Sequence, residues 1–233
     1  VIVGTARGAI GEFTAVAPQQ KEFIKYLLPG SVTHLICKAL NLEGPCFLIS
    51  NACATGVCVL ESSLRLLCTR DYEYVLCITA EAPLYPFLIN AYKNMGVLVR
   101  RPEEFKVFSA KGRGFFLAEG ACALLIKRIE HCTEDGVNIY FAKTSVIKDW
   151  SGKEYSEFVK RLDIQDITFI HCHGSGTKKN TQMEAHVILD TFSSVQPVIC
   201  SMPAVGHTLG NSAFVGIITS IMSIREGILP PIA

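Results

Sequence analysis

Three times in this chain a short apolar run leads into a turn of small residues and then into a helix-like pattern. The first is Pro45 to Ser50, followed by Asn51-Ala52-Cys53-Ala54-Thr55-Gly56 and by apolar positions Val57, Leu60, Leu64 and Leu67. The second is Asp166 to Ile170, which runs into His171-Cys172-His173-Gly174-Ser175-Gly176-Thr177. The third is Val195 to Ser201, followed by Val205-Gly206-His207-Thr208-Leu209-Gly210 and an apolar helical stretch from Ala213 to Ile224. A strand-length run that breaks at glycine or alanine and resumes with helical spacing reads as a β-α unit, and its repetition points to an α/β fold. Open α/β sheets build their sites at the carboxyl ends of strands. Cys53, His173 and His207 all stand there.

The expected elements follow that alternation. Strands are expected near Val1 to Gly4, Cys46 to Ser50, Tyr74 to Ala80, Gly120 to Lys127, Asn138 to Ile147, Ile167 to His171 and Pro197 to Ser201. Helices are expected near Val32 to Asn41, Ala54 to Thr69, Met183 to Phe192 and Leu209 to Glu226.

Ten cysteines need sorting before Cys53 is singled out. Cys46, Cys58, Cys68, Cys77, Cys122 and Cys200 lie inside apolar segments and read as packing. No CxxC pair occurs and no spacing suggests a zinc site or a disulfide framework, so a reducing, cytoplasmic setting is expected. Cys53 differs by its place on a sharp turn at a helix N-terminus, where backbone N–H groups favour a thiolate and small neighbours let a substrate approach. A single histidine beside an apolar run is most often a core residue. Two in matching turns, with a cysteine in the third, point to a nucleophile with imidazole partners.

These motifs resemble those of the β-ketoacyl synthases of the thiolase superfamily. NACATG is similar to the family's nucleophile turn, HCHGSGT to its E-A-H-G-T-G-T, and SMPAVGHTLGNSA to its K-S-x-x-G-H-x-x-G-A-A-G. Phe115 to Ala121 resembles the family's G-F-V-x-G-E-G-A stretch, and Arg225 to Pro231 its L-R-x-G-x-x-P-P. The resemblance implies a thiolase-like layered α-β-α-β-α architecture, shortened at both ends, as a single domain over 1–233 whose halves meet near 140–160. It further implies a subunit acting in decarboxylative Claisen elongation of fatty acid, polyketide or aryl-polyene chains. Cys53 would carry the acyl group, His173 and His207 would bind the extender thioester and stabilise its enolate, and Glu119, Glu184, Thr177 and Gly206 would support them.

Several positions depart from the family pattern. Its lysine falls on Met202 and two of its aspartates on Arg113 and Thr181, and no G-F-G-G-x-N segment follows Pro231. A second function is therefore carried alongside the first, that of a non-catalytic partner resembling chain-length factors, which would shape the acyl tunnel of a full-length ketosynthase. The implied partners are an acyl carrier protein and a second ketosynthase subunit, like or unlike. No cofactor and no metal is implied.

Composition bears on the same question. Hydrophobic residues make up 49% of the chain and charged ones 18%, which suits a large core with a protein interface. A net charge of +1 gives no argument for nucleic acid, and the Ala213 to Ile224 stretch is too short to span a bilayer. One basic cluster stands out: Lys93, Arg100, Arg101, Lys106, Lys111 and Arg113 are accompanied only by Glu103 and Glu104. Such a face could steer an acidic carrier protein.

Overall fold

The structure, a computed structural model, describes residues 1–8, 28, 30–69, 71–128, 130, 151–162, 167–192 and 196–232. The chain divides into two compact units, each assembled from separated stretches. The first comprises Val1–Tyr85, Ala118–Thr144 and Thr208–Val215, and the second Pro86–Leu117, Ser145–His207 and Gly216–Ala233. The strand expected over Asn138 to Ile147, and most of the expected junction near 140–160, lie outside the described residues.

In the first unit, β1 (Ile2–Gly4), β2 (Phe47–Ile49), β3 (Tyr74–Glu81) and β4 (Gly120–Lys127) form one sheet in the order β2-β1-β3-β4. β1 pairs in parallel with β2 and β3, with Val3 beside Leu48 and Ile78. β4 runs antiparallel to β3, setting Cys77 opposite Leu124. β3 alternates strictly, with Val75, Cys77, Thr79 and Glu81 all buried.

Helices α1 (Ser31–Ala39) and α2 (Thr55–Cys68) flank this sheet, and α2 lies on β1 and β3. Its buried stripe is Thr55, Val59, Ser63 and Leu67, four residues apart, rather than the expected Val57, Leu60, Leu64 and Leu67. Val57 is exposed. Close approach explains the rotation. A side chain at Gly4 would come within 2.6 Å of Val59 Cγ2 and 2.9 Å of Thr55 Cγ2, so the helix can rest on the strand only with its smaller residues inward. Ser63 is accommodated there because its hydroxyl donates to the Val59 carbonyl at 2.7 Å. Fully burying a side chain such as Val59 contributes roughly 1.5–3 kcal/mol.

One cysteine expectation is corrected here. Cys37, on α1, is disulfide-bonded to Cys46, just before β2. Nine residues separate them, a spacing with no signature of its own. Cys46 is therefore a disulfide partner rather than a packing thiol.

The second unit holds a two-stranded parallel sheet of β5 (Ile170–His171) and β6 (Val198–Ile199), with Ile170 beside Val198 and His171 beside Ile199. Around it are α3 (Pro86–Asn94), α4 (Lys153–Lys160), α5 (Lys178–Thr191), the short α6 (Met202–Val205) and most of α7 (Ser212–Glu226). α4 packs on α5. The segment between α3 and β4 is held by backbone bonds: Phe115 donates to Val97 at 3.0 Å, Val99 to Phe115 at 3.1 Å, and Gly114 to Gly176 at 3.1 Å. Among the described residues, no helix is long and apolar enough to cross a membrane.

Candidate active site

The thiol is set by the turn between β2 and α2. Ala52 has a φ of 45°, a left-handed conformation that costs a non-glycine residue free energy and is concentrated at functional turns. Thr55 holds this turn closed. Its fully buried hydroxyl accepts the Asn51 N–H at 2.8 Å and donates to the Ala52 carbonyl at 2.7 Å. Cys53 thus sits at the start of α2, as the sequence leads one to expect, and is partly exposed.

The expected activation by the helix terminus is not what decides its pKa. Burial pushes the Cys53 thiol above its usual value, and the Glu81 carboxylate adds to that rise, while the Arg7 charge and a backbone N–H oppose it. Desolvation of the anion wins. Glu81 is a residue the sequence reading passed over. It ends β3 with 4% exposure and accepts the Ala6 N–H, and its own pKa is raised by burial against bonds from Ala6 and Gly210 and the charge of Arg7. Its signal was the alternation of β3, which puts position 81 in phase with the buried Val75, Cys77 and Thr79.

The second unit brings the two expected imidazoles together. The His173 and His207 rings lie 5.1 Å apart, edge to face at 81°. His207 is 2% exposed and packs edge-on against Phe115 at 4.5 Å, and its N–H donates to the Phe116 carbonyl at 2.7 Å. Burial, reinforced by the neighbouring His173, pushes its pKa down to about 3. His173 is exposed by surface area, and desolvation of its ring lowers its pKa as well. Both rings are therefore neutral at pH 7, each able to donate one N–H and accept at the other nitrogen.

The supporting residues act on backbone. Glu184, 7% exposed, accepts the His173 N–H at 2.6 Å and the Gly174 N–H at 3.0 Å. One carboxylate clamps the turn that presents His173, and burial raises its pKa despite those bonds. Thr177 stands just before α5 without a side-chain bond to its first turn, and its hydroxyl lies 3.1 Å from that of Ser175, which itself bonds Asn180. Gly206 has a φ of 79°, a conformation open to glycine, immediately before His207. Glu119 is exposed in the first unit, where it accepts the Leu84 N–H at 3.1 Å.

The departures can be placed too. Met202 is 3% exposed at the start of α6, Arg113 is exposed, and the buried Thr181 hydroxyl has no hydrogen-bond partner among the described residues. Arg101 pairs with Glu103 and Glu104, whereas Lys106, Lys111 and Arg113 line an open recess of about 730 Å³ beside them. Among the described residues no cluster of His, Cys, Asp or Glu could hold a metal ion.

The comparisons with known proteins bear on both halves. Among curated relatives, a nodulation protein E from Rhizobium sp. (strain N33) is 27% identical over 223 residues, spanning 88% of this chain and 55% of the relative. The chain thus spans about half the length of the curated relatives it matches. Among solved structures, a type II polyketide synthase acyl-carrier protein in complex with its ketosynthase bound to the hexaketide superposes with a TM-score of 0.83 at 19% identity, covering 98% of this chain and 66% of that one. The ishigamide ketosynthase/chain length factor superposes with a TM-score of 0.74 at 18% identity, covering 99% and 63%. These likenesses show the thiolase-like α/β fold of ketosynthases. The family model described as β-ketoacyl synthase, N-terminal domain, matches residues 1–131, and that described as β-ketoacyl synthase, C-terminal domain, matches residues 153–233. With the thiol turn in the first match and both imidazoles in the second, the chain belongs to the β-ketoacyl synthase family.

Proposed function

We propose that this chain is a condensing subunit that extends an acyl chain by two carbons through decarboxylative Claisen chemistry, working beside a second ketosynthase subunit. The observation that carries the reading is the neutral His173/His207 pair. Two imidazole N–H groups that stay uncharged at pH 7 suit a thioester carbonyl whose oxygen becomes an enolate.

In this reading the Cys53 sulfur, once deprotonated, attacks the carbonyl of an acyl thioester delivered by a carrier protein. The S–C bond forms, the carrier thiolate leaves and is protonated, and Cys53 holds the acyl group. A malonyl thioester then loses carbon dioxide, and the electrons of the broken C–C bond form an enolate whose oxygen takes the imidazole hydrogen bonds. The enolate carbon attacks the Cys53 acyl carbon, the C–S bond breaks, and the departing Cys53 thiolate takes a proton from water to restore the thiol. Thr55 and the strained Ala52 fix the sulfur, and Glu184 and Gly206 fix the two histidine backbones.

The partners follow from surfaces of each unit. Lys106, Lys111 and Arg113, beside the recess, suit an acidic carrier protein. Among the described residues β2 is an edge strand, and its exposed Phe47 joins Leu48, Ile49 and Leu66 in lining an apolar groove of about 370 Å³. An open edge beside apolar surface suits a second ketosynthase subunit. The alternative is a chain-length-factor-like partner without turnover of its own, which the uncharged Met202 and the Thr181 hydroxyl, without a hydrogen-bond partner among the described residues, favour.

The test is acylation. The purified chain, alone and with candidate ketosynthase subunits, is incubated with acyl-carrier thioester and its mass measured. An acyl adduct on Cys53, absent from Cys53→Ala, supports the condensing role. An adduct only on the partner, with full product formation by the Cys53→Ala complex, assigns the non-catalytic one.

A further inference from the structure

A third histidine of the second unit is bonded at both ring nitrogens. His171 closes β5 two residues before His173. The Ser201 N–H donates to its Nε2 at 3.3 Å, and its Nδ1 lies 2.9 Å from Ser220 Oγ. The Ser220 hydroxyl in turn donates to the Gly216 carbonyl at 2.8 Å. With that hydrogen committed, the Ser220 oxygen is left as an acceptor, so the ring hydrogen belongs on Nδ1 and Nε2 offers its lone pair to Ser201. Only one neutral tautomer satisfies the chain. Gly216 makes the approach possible, since a Cβ there would stand 3.2 Å from Nε2.

Ser201 is where the His207 segment begins. Its carbonyl accepts the Ala204 and Val205 N–H groups at 3.1 and 3.2 Å, Gly206 returns to Met202 at 2.8 Å, and His207 follows on the Phe116 carbonyl. The backbone beyond β5 meanwhile continues from His171 to His173, held by the Cys172 N–H on the Ile199 carbonyl at 2.9 Å. One residue thus ties the His207 segment through its ring and the His173 segment through its main chain.

We propose that His171, as the Nδ1–H tautomer, is a positioning residue that fixes Ser201 and so holds His207 against His173. Its catalytic consequence rests on the condensing function proposed above; the positioning does not. The groups facing the ring are Ser220 and Gly216 from α7 and Ser201 from the turn after β6, with Cys200 next to it and Cys172 and His173 following His171 in the chain. Burial raises the pKa of both cysteines and lowers that of His173, so none of them is charged at neutral pH. Burial likewise lowers the His171 pKa, which keeps Nε2 free to accept.

The experiment has three readouts on the full chain with its partner subunit. Nitrogen-15 NMR of the imidazoles reads the tautomer, amide hydrogen exchange reads the His207 N–H, and steady-state kinetics reads kcat and KM. His171→Gln keeps an acceptor for Ser201, whereas His171→Asn is too short to provide one and retains only a donor toward Ser220. The expected results are an Nδ1–H tautomer, His207 exchange and kcat changed by about tenfold in His171→Asn with KM unchanged, and values within about twofold of wild type in His171→Gln. Ser220→Ala, which leaves position 171 intact, is expected to speed His207 exchange in the same direction should His171→Asn fold poorly. An Nε2–H tautomer, unchanged His207 exchange in His171→Asn or, where that variant does not fold, in Ser220→Ala, or equal losses in the Gln and Asn variants would overturn the proposal. If tautomer and exchange come out as expected while wild type forms no product, the condensing function fails and the positioning role stands.

Discussion

Acidification probes the imidazole pair directly. His207 is 2% exposed, and burial with the nearby His173 takes its pKa from 6.5 to about 3. Unfolded, the same ring titrates near its ordinary value. Between those two values the unfolded chain binds a proton that the folded chain does not, so stability is fully present above about pH 6.5 and falls as pH drops, by up to about 1.4 kcal/mol per pH unit. At pH 5 the linkage relation gives a loss of about 2 kcal/mol relative to pH 7.5 from this one group. The assay is urea unfolding of wild type and His207→Asn at both pH values. Asparagine does not titrate, so the variant's loss between pH 7.5 and pH 5 should be smaller by about 2 kcal/mol, whatever its absolute stability. His171, whose pKa is also lowered by burial, contributes with the same sign in both proteins and drops out of the difference, whereas His173 is coupled to His207, so the difference reads the pair. Parallel curves, agreeing within about 0.5 kcal/mol, would mean that His207 takes up its proton in the folded state by pH 5 and would refute the buried neutral imidazole.

Three further outcomes follow from named contacts. Thr55→Ala removes both bonds of a fully buried hydroxyl, to the Asn51 N–H and the Ala52 carbonyl, and should lower stability by about 1–3 kcal/mol, with Thr55→Ser recovering most of it in thermal melts. Gly4→Ala should cost about 1–3 kcal/mol in the same melts, because its Cβ would press on Val59 and Thr55. Since burial holds the Cys53 thiol above its usual pKa, its alkylation by iodoacetamide should climb about tenfold per pH unit from pH 7 to pH 9; a plateau below pH 8 would show a depressed thiol instead.

Much of the fold was legible because it is written in local patterns. The strand-length runs before Cys53, His173 and His207, and the run Tyr74 to Ala80, became β2, β5, β6 and β3 within a few residues of where the sequence put them. α3 and α4 were not legible. Pro86 occupies the tolerated first position of its helix, and Lys153–Lys160 carries its apolar stripe in a single turn, Tyr155, Phe158 and Val159. The rotated face of α2 could not be read either, since it is imposed by the missing side chain of Gly4 on another element. Within the site, Cys53, His173 and His207 came from motifs. Glu81 and His171 did not, because their roles lie in bonds to Ala6, Ser201 and Ser220, set by tertiary neighbours rather than by spacing.

The absence of a lysine at position 202 looked, from sequence, like lost electrostatics. The structure gives a different account. A cation near an imidazole disfavours its protonation and so keeps it a neutral hydrogen-bond donor. Here Met202 is itself buried, and desolvation takes His207 down to about 3 without any cation. Burial acts on Cys53 in the opposite sense, favouring the uncharged thiol over the thiolate. Both ends of the proposed chemistry therefore rest uncharged, and the negative charge appears only when the thioester is attacked or the malonyl group decarboxylates. Fixed N–H dipoles stabilise such a developing charge without the reorganisation that water would require, so replacing the lysine by methionine is compatible with condensation provided that both imidazoles stay neutral and in place.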